Sequence, residues 1–131
     1  MEEESMDMRM SRVESSIRIV LDYHKAFNRN DVTGMMQLFS DDGIFEHRFP
    51  APDGTRYSGK EAIARFWKNH FLEYPESHIE IEQIFGFGFR CVMRWRYDWK
   101  DAAGKKEHQR GVDIFQIKEG FLCEQLSYVK G

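Results

Sequence analysis

Three side chains that can hold or move a proton stand where an apolar face should bury them. His47 lies between Phe45 and Phe49 in a strand-like run, Ile44 to Phe49, so its imidazole shares a face with two phenylalanines. An imidazole of ordinary pKa, about 6.5, is largely neutral at pH 7 and can accept a proton. Asp113 shares strand parity with Phe115 and Ile117. A carboxyl group among apolar neighbours must keep its proton or find a partner, and Tyr23 and His47 are candidates for that partner. Tyr23 follows Ile19 by one helical turn and precedes Phe27 by another, so it borders a buried stripe. Each residue also has a plainer reading: a satisfied core histidine, a structural acceptor and a core tyrosine.

Other chemistries find little support. His24 and His70 fall on apolar helix faces, and with His47 they match no metal-ligand spacing, so no metal is expected. Cys91 and Cys123 form no C-x-x-C motif and read as small buried apolar groups. There is no glycine-rich phosphate loop, no G-x-S-x-G elbow and no Cys-His signature; Gly86-Phe87-Gly88 reads as a turn between strands. Glu46 and Arg48, on the strand face opposite His47, are expected at solvent or an interface.

The elements that must position these groups fit one domain. A chain of 131 residues can bury a core without staples. Its net charge of −3, with no basic stripe or tail, argues against a nucleic-acid partner. No segment is long enough for a membrane span, and Met1 to Met10 is acidic without a signal-peptide core. A cytoplasmic location is therefore expected. Residues 1–10 read as a disordered lead-in and 11–131 as the domain.

Ser11-Arg12-Val13-Glu14 reads as a capping box opening a helix that ends near Asn28-Arg29-Asn30. Asp31 can cap a short second helix carrying Met35, Met36, Leu38 and Phe39, and Ser40 to Gly43 then reads as a turn. Pro50 to Gly54 is a loop after the first strand, and Ser58-Gly59-Lys60-Glu61 reads as a second capping box. It opens a helix whose apolar face carries Ile63, Phe66, Trp67, His70 and Phe71. Strands follow at 78–85, 89–99, 107–118 and 121–129, the second alternating almost without fault from Phe89 to Trp99. The order predicts an α+β domain: a cone-like, curved antiparallel sheet covered by three N-terminal helices.

Several runs carry a resemblance. The segment from Tyr23 to Asp31, with its N-x-x-D exit, Leu38-Phe39-Ser40-Asp41-Asp42-Gly43, Tyr57 to Ile63, and Gly111 to Phe115 with Glu119-Gly120 resemble the nuclear transport factor 2-like superfamily. The likeness is to its SnoaL-like and ketosteroid-isomerase-like branch, over roughly residues 13–129. It implies a cystatin-like roll, a scaffold shared by enzymes and by non-catalytic binders. By resemblance to ketosteroid isomerase, Tyr23 and Asp113 fall where that family holds the substrate oxyanion. His47 falls where it has an aspartate base. The implied reaction is proton transfer next to a carbonyl, of the isomerase or polyketide-cyclase type, or a dehydration, with no cofactor. The substrate expected is a hydrophobic ring compound, in a pocket lined by Phe45, Phe49, Trp67, Met93, Trp95, Tyr97 and Phe115. The alternative is a ligand-binding or assembly module. A homodimer is expected through the outer sheet face, where Arg90, Val92, Arg94 and Arg96 neighbour Val112 and Ile114.

Overall fold

The computed structural model describes residues 6–131, with side chains from Ser11 onward. Helix α1 runs Met6–Asn28, α2 Val32–Gln37 and α3 Lys60–Glu73. The strands are β1 (Phe39–His47), β2 (Thr55–Ser58), β3 (His78–Phe87), β4 (Arg90–Lys100), β5 (Lys106–Lys118) and β6 (Phe121–Val129). They form one six-stranded sheet in the order β2-β1-β6-β5-β4-β3. The sheet is curved and unclosed, and the helices cover its inner side. The all-antiparallel expectation needs one correction, because β1 pairs with β6 in parallel. The other pairs are antiparallel.

Helix α1 buries Val20, Tyr23, Ala26 and Phe27, a stripe at helical spacing. It begins upstream of Ser11, so Ser11 is no N-cap and residues 6–10 belong to the helix rather than to a lead-in. The lead-in expected for residues 1–5 lies outside the described residues. The helix stops where Asn30 turns to φ 56°, a conformation asparagine tolerates. Asn28 then clips the chain to β3, donating to the Ile79 carbonyl at 2.9 Å and accepting from the Ile79 amide at 2.8 Å. Asp31 caps α2 as expected, its carboxylate accepting from the Gly34 amide at 2.9 Å.

The second capping box does not form. Gly59, at φ 90°, is the N-cap of α3 and offers no side chain, while Ser58 ends β2. The helix still buries Ile63, Trp67 and Phe71. The turn expected over Ser40 to Gly43 is instead an irregular stretch of β1, where the pairing with β6 slips between Phe39 and Ile44. Gly43 makes the slip possible, because a Cβ there would strike the ring of buried Phe39. In β4 the alternation holds: Cys91, Met93, Trp95 and Tyr97 are buried, and the residues between them are not. Gly111, opposite Trp95 on β5, leaves the room that the indole occupies.

Candidate functional site

A cavity of about 760 Å³ opens at the mouth of the cone. The end of β1 and the residues after it supply His47, Arg48 and Phe49, α3 supplies Phe66, His70 and Glu73, and β4 and β5 supply Tyr97, Trp99 and Gln109. The volume lies within the usual range of small-molecule sites.

His47 packs in an aromatic setting, with Phe66 at 4.8 Å and Phe45 and Phe49 each at 5.6 Å between ring centroids. Its Nδ1 is buried and has no hydrogen-bond partner among the described residues. Burial, then the neighbouring Arg48 charge, then His70, push its pKa down to about 3. The ring is therefore a neutral acceptor across the physiological range. His70 stacks on Phe66 at 6.0 Å between ring centroids and is held near 4 by burial and by Arg48. Its Nε2 stands 2.9 Å from the Tyr97 hydroxyl, which is 2.8 Å from Ser77 Oγ. Ser77 donates to the Tyr74 carbonyl at 2.7 Å. A hydroxyl has one proton, so the Tyr97 proton goes to Ser77 and His70 Nε2–H donates to Tyr97. That leaves the Tyr97 hydroxyl committed within the protein, and burial lifts its pKa to about 12.

Arg48 corrects an expectation. Strand β1 ends at His47, so strict alternation stops there and consecutive side chains both turn into the cone. The guanidinium stacks over Trp95 at 4.8 Å and lies 5.5 Å from Phe49 and 5.6 Å from Tyr97. It donates to Gln109 Oε1 at 3.4 Å and to Ser127 Oγ at 3.3 Å, both long. Among the described residues it makes no ion pair. Burial pulls its pKa down, and the charge of Asp113 works against that pull.

Tyr23 and Asp113 lie deeper, beneath Arg48. They border a second, inner cavity of about 20 Å³, to which Arg48 also contributes. That is room for about one water molecule. The Tyr23 hydroxyl donates to Gln125 Oε1 at 3.0 Å, and Gln125 Nε2 donates to Asp113 Oδ2 at 2.9 Å. Asp113 Oδ1 accepts from Trp95 Nε1 at 2.9 Å. Both carboxyl oxygens accept, so Asp113 is placed as an acceptor and not as the donor an oxyanion role requires. Burial, and the charge of Asp113, raise the Tyr23 pKa.

The three expected catalytic residues therefore do not share one cavity: His47 faces the outer one, and Tyr23 and Asp113 the inner one. Of the expected lining, Phe49 and Tyr97 face the outer cavity, while Phe45, Trp67 and Trp95 face the inner one. Met93 and Phe115 are fully buried core and line neither. Among the described residues no group of three or more His, Cys, Asp or Glu side chains could hold a metal ion; His24 donates Nδ1–H to the Val20 carbonyl at 2.8 Å.

Residues 20–125 match the model of the SnoaL-like domain. The chain belongs to that family. A SnoaL-like chain of this shape has many structural counterparts. A nuclear transport factor 2-like protein of unknown function from Mesorhizobium loti is 30% identical over 92% of this chain and 94% of its own, with a TM-score of 0.77. A candidate polyketide cyclase from Xanthomonas campestris is 19% identical over 91% and 93% of the two chains, with a TM-score of 0.81. A candidate SnoaL-like polyketide cyclase from Shewanella denitrificans is 22% identical over 88% and 90%, with a TM-score of 0.77. At those identities the two cyclase-named structures show the fold alone. No curated protein matches the sequence.

Arg48 and Gln125 of this SnoaL-like site were not expected from the sequence, nor were Phe66, Trp99 and Gln109 as lining of the outer cavity. The signal for Gln125 was hidden by a slip in the β5–β6 pairing between Gln116 and Ile117. It turns Leu122 and Gln125 to the same side, and Leu126 away from them.

Proposed function

We propose that the chain is a small-molecule pocket protein acting as a cofactor-independent acid–base enzyme on a hydrophobic ring compound. The observation that carries the reading is the placement of His47 and Arg48 side by side on one cavity. One is a neutral imidazole on the cavity wall, and the other is a guanidinium with no carboxylate partner among the described residues. His47 takes a proton from the carbon next to a carbonyl. The C–H electron pair becomes the enolate π bond, and the negative charge on oxygen faces Arg48. The imidazolium then returns its proton to another carbon, which is isomerisation. Alternatively, the enolate carbon attacks a second carbonyl and closes a ring, the C=O π pair moving to an oxygen that takes the imidazolium proton, or a hydroxyl leaves with that proton as water. Tyr23 and Asp113 serve as positioning residues in this reading. Asp113 fixes the Trp95 indole under Arg48, and its charge favours the ionised guanidinium against the pull of burial.

The assembly proposed is a homodimer through the outer sheet face. Phe85, Val92, Ile114 and Leu126 are successive cross-strand partners there and form an apolar row over four strands. No helix among the described residues is long and apolar enough to cross a membrane. A cytoplasmic location is part of the proposal, supported by Cys91 and Cys123, both free thiols. The test of the chemistry is turnover of a panel of β,γ-unsaturated ring ketones. Wild type should convert at least one member, and His47→Ala should convert none while still binding it. If no ketone is converted, or His47→Ala keeps full activity, the ligand-binding module takes its place.

A further inference from the structure

Resting on that reading of the cavity, we propose that its ligand is an anion: a planar ring compound carrying a carboxylate or an enolate-type oxygen, seated on the Arg48 guanidinium. A guanidinium has five N–H donors, and the protein engages two of them, both through long bonds to neutral oxygens. A cation drawn partly out of water is favoured by an anion beside it, yet the one carboxylate beneath Arg48, that of Asp113, spends its oxygens on Trp95 and Gln125.

The rest of the lining agrees. Arg48 and Arg65 face the cavity against a single carboxylate, Glu73, although the whole chain is net negative at −3. Arg65 and Glu73 are both exposed, so among the charged lining residues only Arg48 is partly buried. The imidazoles of His47 and His70 add none, and the field of Arg48 is one reason they stay neutral. A field that discourages a proton favours a carboxylate or enolate. Beside the guanidinium, Phe66, Tyr97 and Trp99 offer flat aromatic surface, with Tyr97 and Trp99 stacked at 5.0 Å between centroids. That combination suits a flat ring with one anionic end.

The test uses three probes with one ring system: naphthalene-2-carboxylate, naphthalene-2-carboxamide and naphthalene-2-methylammonium, titrated into the full chain at pH 7.5 by fluorescence or calorimetry. A charge-assisted contact with Arg48 predicts that the carboxylate binds about 10- to 100-fold tighter than the carboxamide, and the ammonium weakest. Arg48→Met should erase the preference while the carboxamide still binds. Arg48→Lys keeps a charge but loses the planar fork, and should retain part of the preference. Thermal melts of both variants establish that each is folded, and the wild-type ranking stands without either. Equal binding of carboxylate and carboxamide by wild type overturns the anion assignment and leaves the acid–base reading standing. A preference that survives in folded Arg48→Met overturns it too. If none of the three probes binds, the assignment and the pocket reading beneath it both fail.

Discussion

Asp113→Asn is the sharpest single change available in the inner network, because every proton there points one way. Tyr23 donates to Gln125, Gln125 donates to Asp113, and Trp95 donates to the other Asp113 oxygen. An asparagine offers one acceptor and one donor in place of two acceptors. The indole N–H cannot reverse, so the asparagine oxygen must keep Trp95 and its amide must face Gln125. Gln125 can flip to accept, but its own amide then points at the Tyr23 oxygen, and the Tyr23 proton has no acceptor. One buried stranded donor costs about 1–3 kcal/mol, and the two bonds that were charge-assisted become ordinary ones. The expected loss is about 2–3 kcal/mol. Tyr23→Phe in the wild-type background strands only the Gln125 oxygen and should cost about 1–2 kcal/mol. In the Asp113→Asn background it removes the stranded group itself and should cost nearly nothing. The cycle should therefore show about 1–2 kcal/mol of coupling, with the double variant less damaged than the sum of the single ones. The assay is equilibrium urea unfolding of all four proteins at pH 7, with unchanged m-values. Additivity within about 0.5 kcal/mol, or a loss below about 0.5 kcal/mol for Asp113→Asn alone, would refute the one-way chain.

Acid should destabilise the fold early. Folded His47 and His70 are held near 3 and 4, and burial also lowers His24, whereas in the unfolded chain each titrates at about 6.5. Between those values the unfolded chain binds protons that the folded one refuses, so the stability these groups contribute is complete above about pH 6.5 and lost as pH falls. At about 1.4 kcal/mol per pH unit for each, His47 and His70 together give a slope of about 2–3 kcal/mol per unit around pH 5. Urea midpoints measured from pH 7 to 4.5 should fall accordingly, and His47→Asn with His70→Asn should flatten the curve; a flat wild-type profile would contradict the burial argument. For the assembly, light scattering should give a dimer at micromolar concentration and a folded monomer for Ile114→Asp. A monomeric wild type would remove the interface.

Regular alternation made much of this fold legible. The inward face of β4 was readable from Cys91 to Tyr97 because the pleat runs there without interruption. Legibility failed wherever the pleat is broken. Strand period carried one residue past the end of β1 points Arg48 outward, whereas the chain turns it into the cone there. Gln125 was missed because the chain slips before it in β6. Strand β2 spans only Thr55–Ser58 with half-buried alternation, too short a pattern to separate from a loop. Depth was a further limit. Parity shows that Met93, Trp95 and Tyr97 point inward together, but only the packing of α1 and α3 decides that Met93 is core, Trp95 borders the inner cavity and Tyr97 faces the outer one. The expected convergence of Tyr23, His47 and Asp113 needed that depth as well: α1 carries Tyr23 to the inner cavity beside Asp113, while His47 faces the outer one.

In the proposed chemistry the proton-moving group faces the outer cavity and the inner network only supports it. Deuterium wash-in at the carbon next to the carbonyl of 2-tetralone, followed by mass spectrometry in buffered D₂O, reads proton abstraction without requiring a complete reaction. Wild type should exchange the ketone faster than buffer, His47→Ala should fall to the buffer rate, and Tyr23→Phe should keep most of the exchange. Exchange that survives His47→Ala, or that is lost in a folded Tyr23→Phe, would put the chemistry in the inner cavity and rule out His47 as the base.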